Sequence, residues 1–183
     1  MVAASNALEE MVVSTDAIVL LKQDHAEVKR RFREFRGTPA GDGDARERLA
    51  REMIELLTVH TYLENNFMYP EVRRALPEID DDVLEAYEEH HVADVLCGEL
   101  WALPVSDEHF GAKAQVLMES VERHIDEEEA EWFPKVRAGL GRKELQRIGQ
   151  TMLEYRDKAP GKPESRPATT KAMDRLKSML AVE

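Results

Sequence analysis

A chain of 183 residues, 43% of them hydrophobic, is most simply a single domain with a buried core. Its formal net charge of −12 argues against a nucleic-acid backbone or an anionic membrane as partner, since both would repel it. One cysteine, Cys97, excludes an intramolecular disulfide framework; with no basic leader and no apolar run of membrane-spanning length, a soluble cytoplasmic protein is expected.

Residues 1–13 carry no anchoring pattern and are expected to be a mobile lead. Ser14, Thr15 or Asp16 can cap a first helix whose apolar stripe reads Ile18, Leu21, Val28, Phe32 and Phe35, with His25 in its middle. Gly37 ends that helix and residues 38–43 form a turn. A second helix is predicted over about 46–76, with Leu49, Met53, Leu56, Leu57, His60, Glu64 and Phe67 inward. Pro70 must kink it, because proline lacks a donor and its ring clashes with the preceding turn. After a loop at 76–80, a third helix over about 82–103 carries Val83, Tyr87, His90, Asp94, Cys97 and Trp101 on one face. The neighbouring face holds Leu84, His91 and Val95. Pro104 closes this helix, and Ser106-Asp107 open a fourth that runs to about residue 140, with Leu117, Val121, His124, Glu128 and Trp132 on one stripe. Gly139 and Gly141 mark a break before a short fifth helix at 143–158, with Leu145, Ile148, Met152 and Leu153 inward. A Pro-containing linker at 159–169 and a short amphipathic helix at 170–182 end the chain. Strand alternation is absent from the sequence. The fold class is all-α: an up-down-up-down four-helix bundle over 14–140, an additional helix at 141–158, and the linker with its C-terminal helix at 159–183.

Two stretches repeat one pattern. His60, Glu64, Tyr69-Pro70 and Val72-Arg73 correspond to His124, Glu128, Phe133-Pro134 and Val136-Arg137. A His and a Glu four apart share one helix face. Glu64 and Glu128 lie on inward stripes, where an unpaired carboxylate must take up a proton or bear a heavy desolvation cost. A shared cation removes that cost. His25, His60, His90 and His124 come from four helices at mid-helix positions, which antiparallel packing brings to one level. His109 follows the cap of the fourth helix and is expected to be exposed. His90 and His91 point about 100° apart, so one of them faces the centre; the continuous stripe through His90 favours it. HExxH spacing, a cysteine cluster, a phosphate-cradling glycine loop and a G-x-S-x-G elbow are all absent. Ferritin-like di-iron bundles need two Glu-x-x-His motifs, and only Glu88-x-x-His91 fits. Mixed imidazole and carboxylate donors suit iron, manganese or zinc better than magnesium or calcium.

On these residues the chain resembles the hemerythrin-like, HHE cation-binding family. The matching elements are Asp24-His25, His60 with Glu64, Glu88-Glu89-His90, His124 with Glu128, and the two aromatic-proline pairs, covering about residues 16–140. The resemblance implies a non-haem centre of two iron ions, oxo- or hydroxo-bridged. Glu64 and Glu128 would bridge, and His25, His60, His90 and His124 would be terminal ligands. Oxygen carriers of the family use a further His one turn after the first on the third helix, where this chain has Asp94. Either Asp94 ligates, His91 substitutes, or a coordination position stays open. Asp94 and Tyr87, one turn either side of His90, are expected near the metals. The functions implied are peroxide decomposition, or binding or sensing of O2 or NO, with a small diatomic or peroxide ligand as partner. An iron storage or sensing bundle and a metal-free helical interaction module are the alternatives.

Overall fold

The computed structural model describes residues 15–163; the lead at 1–13, most of the linker and the helix expected at 170–182 lie outside them. Among the described residues every regular element is helical, and four long helical arms form the bundle. The Asp16 side chain accepts the Val19 N–H at 3.2 Å and caps α1 (Ala17–Gly37). Asp42 does the same for α2 (Gly43–Leu63) through the Ala45 N–H, so that helix starts three residues before the position its apolar stripe indicates. A short α3 (Tyr69–Ala75) continues α2, and a 3₁₀ turn (Pro77–Ile79) leads into α4 (Asp80–Ala102). The fourth arm is α5 (Phe110–Glu127) followed by α6 (Phe133–Arg156).

The disturbance expected at Pro70 takes the form of one π-helical turn, Glu64–Met68, just ahead of it. The Tyr69 N–H reaches back five residues to the Glu64 carbonyl, and the widened turn makes room for a ring that would clash in a regular helix. The second copy of the motif behaves identically. A π turn at Glu128–Trp132 precedes Pro134, with the Phe133 N–H on the Glu128 carbonyl. Both inward glutamates therefore sit at the start of a widened turn. Beyond it, α6 bends at Gly141, whose φ of 72° lies in the left-handed region that favours glycine. The fifth helix read from the sequence is the distal limb of α6. That limb folds back on α1: Leu145, Ile148 and Met152 share a core with Ala17, Ile18 and Leu21. Gly149 lies so close to the start of α1 that a Cβ there would stand 1.9 Å from the Thr15 carbonyl oxygen.

Two apolar clusters fill the bundle. One joins the α3 and α6 end, around Tyr69, Val72, Phe133 and Val136; the other surrounds Phe32, Met53, Leu100 and Leu117. Burying each large aliphatic or aromatic side chain contributes about 1.5–3 kcal/mol. Between the two clusters, at one level of all four arms, the buried side chains are polar: His25, His60, Glu64, His90, His124 and Glu128.

Candidate metal centre

Each arm delivers its polar residue from the same kind of place, an inward stripe with apolar neighbours a turn above and below. None of the six is more than 6% exposed. Their donor atoms form two groups, each within a 4.8 Å span: His25, His60, Glu64 and Glu128, and then Glu64, His90 and His124. Glu64 belongs to both. Its Oε2 stands 3.0 Å from His60 Nε2 and 3.3 Å from His90 Nε2. Glu128 Oε2 lies 3.3 Å from His25 Nε2 and 3.7 Å from His124 Nε2, so it too faces both halves. The imidazoles meet in pairs, His25 with His60 at 3.3 Å and His90 with His124 at 3.0 Å between Nε2 atoms.

The outer ring nitrogens explain why the Nε2 atoms face each other. His25 Nδ1 is 2.9 Å from Glu129 Oε1, His90 Nδ1 2.9 Å from Asn65 Oδ1, and His124 Nδ1 2.6 Å from Glu89 Oε2. An acceptor at Nδ1 holds the proton there and turns the Nε2 lone pair inward, the arrangement of a metal-ligating histidine. His60 Nδ1 has only Asp24 Oδ2, at 3.8 Å, beyond hydrogen-bond range. Asp24 is itself clamped by Arg156 of α6, through two contacts of 2.9 and 2.8 Å. The inner carboxylates lack such partners. Both oxygens of Glu64 and Oε2 of Glu128 are buried without a hydrogen bond, although imidazole nitrogens stand within about 3 Å. Converging lone pairs and orphaned carboxylate oxygens are a poor protein interior and a good cation site.

The proton balance says the same. Burial opposes charge on His60, yet the Glu64 carboxylate, with Asp24 behind it, holds the His60 pKa well above its ordinary value. Burial would raise Glu64, but His60 and His90 outweigh it and hold Glu64 well below the usual carboxylate range. Burial likewise works against His124, and the Glu128 charge and the Glu89 hydrogen bond overcome it. At His90 burial prevails and the pKa falls. A proton held on His60 thus stands where a cation would otherwise balance the buried Glu64.

The other residues singled out from the sequence fall outside both groups. Asp94 Oδ1 is 3.5 Å from the Thr61 hydroxyl, and burial pushes its carboxyl up to about 7. The Tyr87 hydroxyl donates to the Asn65 carbonyl at 3.2 Å. His91 is half-buried on the adjacent face of α4, and the His109 side chain is 75% exposed. Tyr69, whose place the apolar periodicity does not indicate, also stands at the centre. Its hydroxyl donates to Glu128 Oε1 at 3.1 Å and lies 3.3 Å from His90 Nε2, and its ring stacks on His90 with centroids 5.3 Å apart. Its counterpart in the second motif, Phe133, stacks on His25 at 5.6 Å. Burial, then the charges of Glu128 and Glu64, push the Tyr69 phenol well above its ordinary range. The doubled aromatic-proline pair was the signal for these positions.

Among the described residues, a small cavity and a larger cleft touch the cluster. The small one, of about 20 Å³, is lined by His60, His90 and His124 together with Val28, Leu57, Ala93 and Val121, enough for a water-sized molecule in mostly apolar walls. The larger cleft, of about 290 Å³, runs between α4 and the α5–α6 arm, and His124 and Glu128 are among its lining residues.

A helical bundle crossed by one buried layer of imidazoles and carboxylates defines a cation-binding bundle protein. The sequence matches the family described as the hemerythrin HHE cation binding domain over residues 16–136, and the chain belongs to that family. It is also similar to the crystal structure of a hemerythrin HHE cation binding domain-containing protein from Mycobacterium kansasii, at 22% identity and a TM-score of 0.66, covering 89% of this chain and 93% of that one. That likeness bears on the fold. No curated protein matches the sequence. Among the described residues no helix is long and apolar enough to cross a membrane.

Proposed function

We propose that the cluster holds two iron ions and handles small oxygen species, with decomposition of hydrogen peroxide to water and oxygen as its reaction. The observation that carries the reading is the division of six buried donors into two groups that share Glu64. One ion would take His25, His60, Glu64 and Glu128; the other would take Glu64, His90 and His124, with Glu128 facing both. Iron bound here supplies Lewis acidity and one-electron redox steps that side chains lack. The remaining work belongs to the chain. Glu129, Asn65 and Glu89 orient three of the imidazoles through Nδ1. The small apolar cavity leaves room for about one water-sized group beside His60, His90 and His124. Tyr69, rather than Asp94 or Tyr87, offers a protonated hydroxyl at the second group, where it can donate to a ligand oxygen or hold Glu128.

Peroxide turnover is favoured over reversible oxygen carriage because the centre has a phenol donor and an opening to solvent along the larger cleft. A carrier must release its ligand unreduced, which calls for a site sealed from protons. The test begins with metal analysis: about two irons per chain in the parent, loss of metal in His124→Ala, and full content in His109→Ala. Equal content in the two variants removes the ligand assignment. The iron-loaded parent should evolve oxygen from hydrogen peroxide, while His60→Ala/Glu64→Ala should not. An inert iron-loaded parent overturns the peroxide reading, and a colour change reversed by lowering oxygen pressure reinstates carriage.

A further inference from the structure

The cleft between α4 and the α5–α6 arm has a graded lining. Glu85, Glu127 and Glu131 are exposed, Asp82 and Glu89 are half-buried, and Glu128 is 4% exposed with its Oε2 free of any hydrogen bond. Part of the remaining charge is balanced. Arg123 reaches Glu89 at 2.7 Å and Glu127 at 2.9 Å, and Lys135 pairs with Asp82 at 2.7 Å. Glu85 and Glu131 carry no salt bridge among the described residues, while the Lys135 ammonium, paired with Asp82, also feels the Glu131 charge. Trp132, which also lines the cleft and is 6% exposed, has an indole N–H with no acceptor, a donor suited to a water molecule. The cleft thus combines net negative charge with two lining side chains, Trp132 and Glu128, whose buried polar atoms lack hydrogen-bond partners.

We propose that this cleft is the loading route by which a hydrated divalent cation reaches the cluster, drawn in by Glu85 and Glu131 and passed to Glu128. The proposal rests on the metal-centre reading above and adds the path and the steering residues. A concave surface lined by one sign of charge raises the local concentration of the opposite ion and its association rate. The steering pair touches none of the six cluster donors, so its charge bears on how fast the ion arrives rather than on what finally holds it.

The experiment is stopped-flow uptake of Co2+ by protein stripped with a chelator, read from the cobalt ligand-field absorbance. Three proteins are compared: the parent, Glu85→Gln/Glu131→Gln, and Asp44→Asn/Glu108→Gln. The last removes two charges at the opposite end of the bundle, where Gly43 packs against Val105. The cleft variant should load about three- to tenfold more slowly at low ionic strength, the gap should close as salt is added, and final cobalt content should equal that of the parent. The distal variant should load at the parental rate. Parental loading by the cleft variant, or equal slowing in both variants, overturns the route while leaving the metal centre standing. A parent that takes up no cobalt overturns the centre and the route together.

Discussion

Asp94 stands in the structure as a carboxylate with too few partners, and its substitution by Asn tests that view. Its Oδ2 is buried without a hydrogen bond, and the Thr61 hydroxyl at Oδ1 is long, at 3.5 Å. Burial raises the carboxyl from an ordinary 3.8 to about 7, and the Thr61 bond offsets only part of that. Below pH 3.8 the group is protonated folded and unfolded, and it costs nothing. As pH rises towards 7 the unfolded chain gives up its proton while the folded chain keeps it, so stability falls; above 7 the full cost applies. A difference of about 3 pH units corresponds to about 4 kcal/mol, and residual solvent contact reduces this to about 1–3 kcal/mol. Asp94→Asn keeps an acceptor for Thr61 and removes the charge. Urea unfolding in chelator should therefore show the variant more stable than the parent by about 1–3 kcal/mol at pH 8, with most of the gain gone at pH 4.5. Taking the difference between the two proteins cancels the titration of the histidine layer. A gain that does not vary with pH, or a loss of stability at pH 8, would refute the reasoning.

Two further outcomes are expected. Gly149→Ala should destabilise the fold by about 1–3 kcal/mol in thermal or urea unfolding, because its Cβ would meet the Thr15 backbone at 1.9 Å; Gly37→Ala, with nothing within 4 Å, should stay within about 1 kcal/mol of the parent. Metal uptake near pH 7 should release protons, foremost the one that the strongly raised pKa holds on His60. Apparent affinity then climbs with pH, by up to about tenfold per unit for each proton displaced, as followed with a pH indicator during titration. Uptake without proton release would contradict that assignment.

The reach of the sequence can be judged helix by helix. His25, His60, His90 and His124 were legible because a regular helix turns 100° per residue, and helices of 18 to 23 residues let stripe positions be counted without losing phase. Counting fails at the π turns. In a regular helix Tyr69 would point about 140° away from Glu64; the widened turn swings it back over the centre, so its role was hidden although its position in the doubled motif was plain. Asp94 and Tyr87 illustrate a different limit. Residues four or three from His90 share its face but stand about a turn away along the axis, where they meet Thr61 and the Asn65 carbonyl instead of the cluster. The return of α6 onto α1 depends on the backbone conformation of Gly141 and on the bare Cα of Gly149, neither of which apolar periodicity records.

The polar layer also governs how the four arms can be aligned. In a bundle with an apolar interior throughout, sliding one helix past its neighbours by a turn, about 5.4 Å, exchanges leucine for leucine at little loss. Here the same slip would seat His25 or His90 among the aliphatic side chains of an adjoining cluster and leave Glu64 facing carbon. The misaligned bundle is penalised even where its apolar contacts are as good. The six buried imidazole and carboxylate residues therefore also act as a key that admits one registration of the helices. A variant with all six replaced by apolar residues of similar volume would be expected to gain stability and to lose its single alignment.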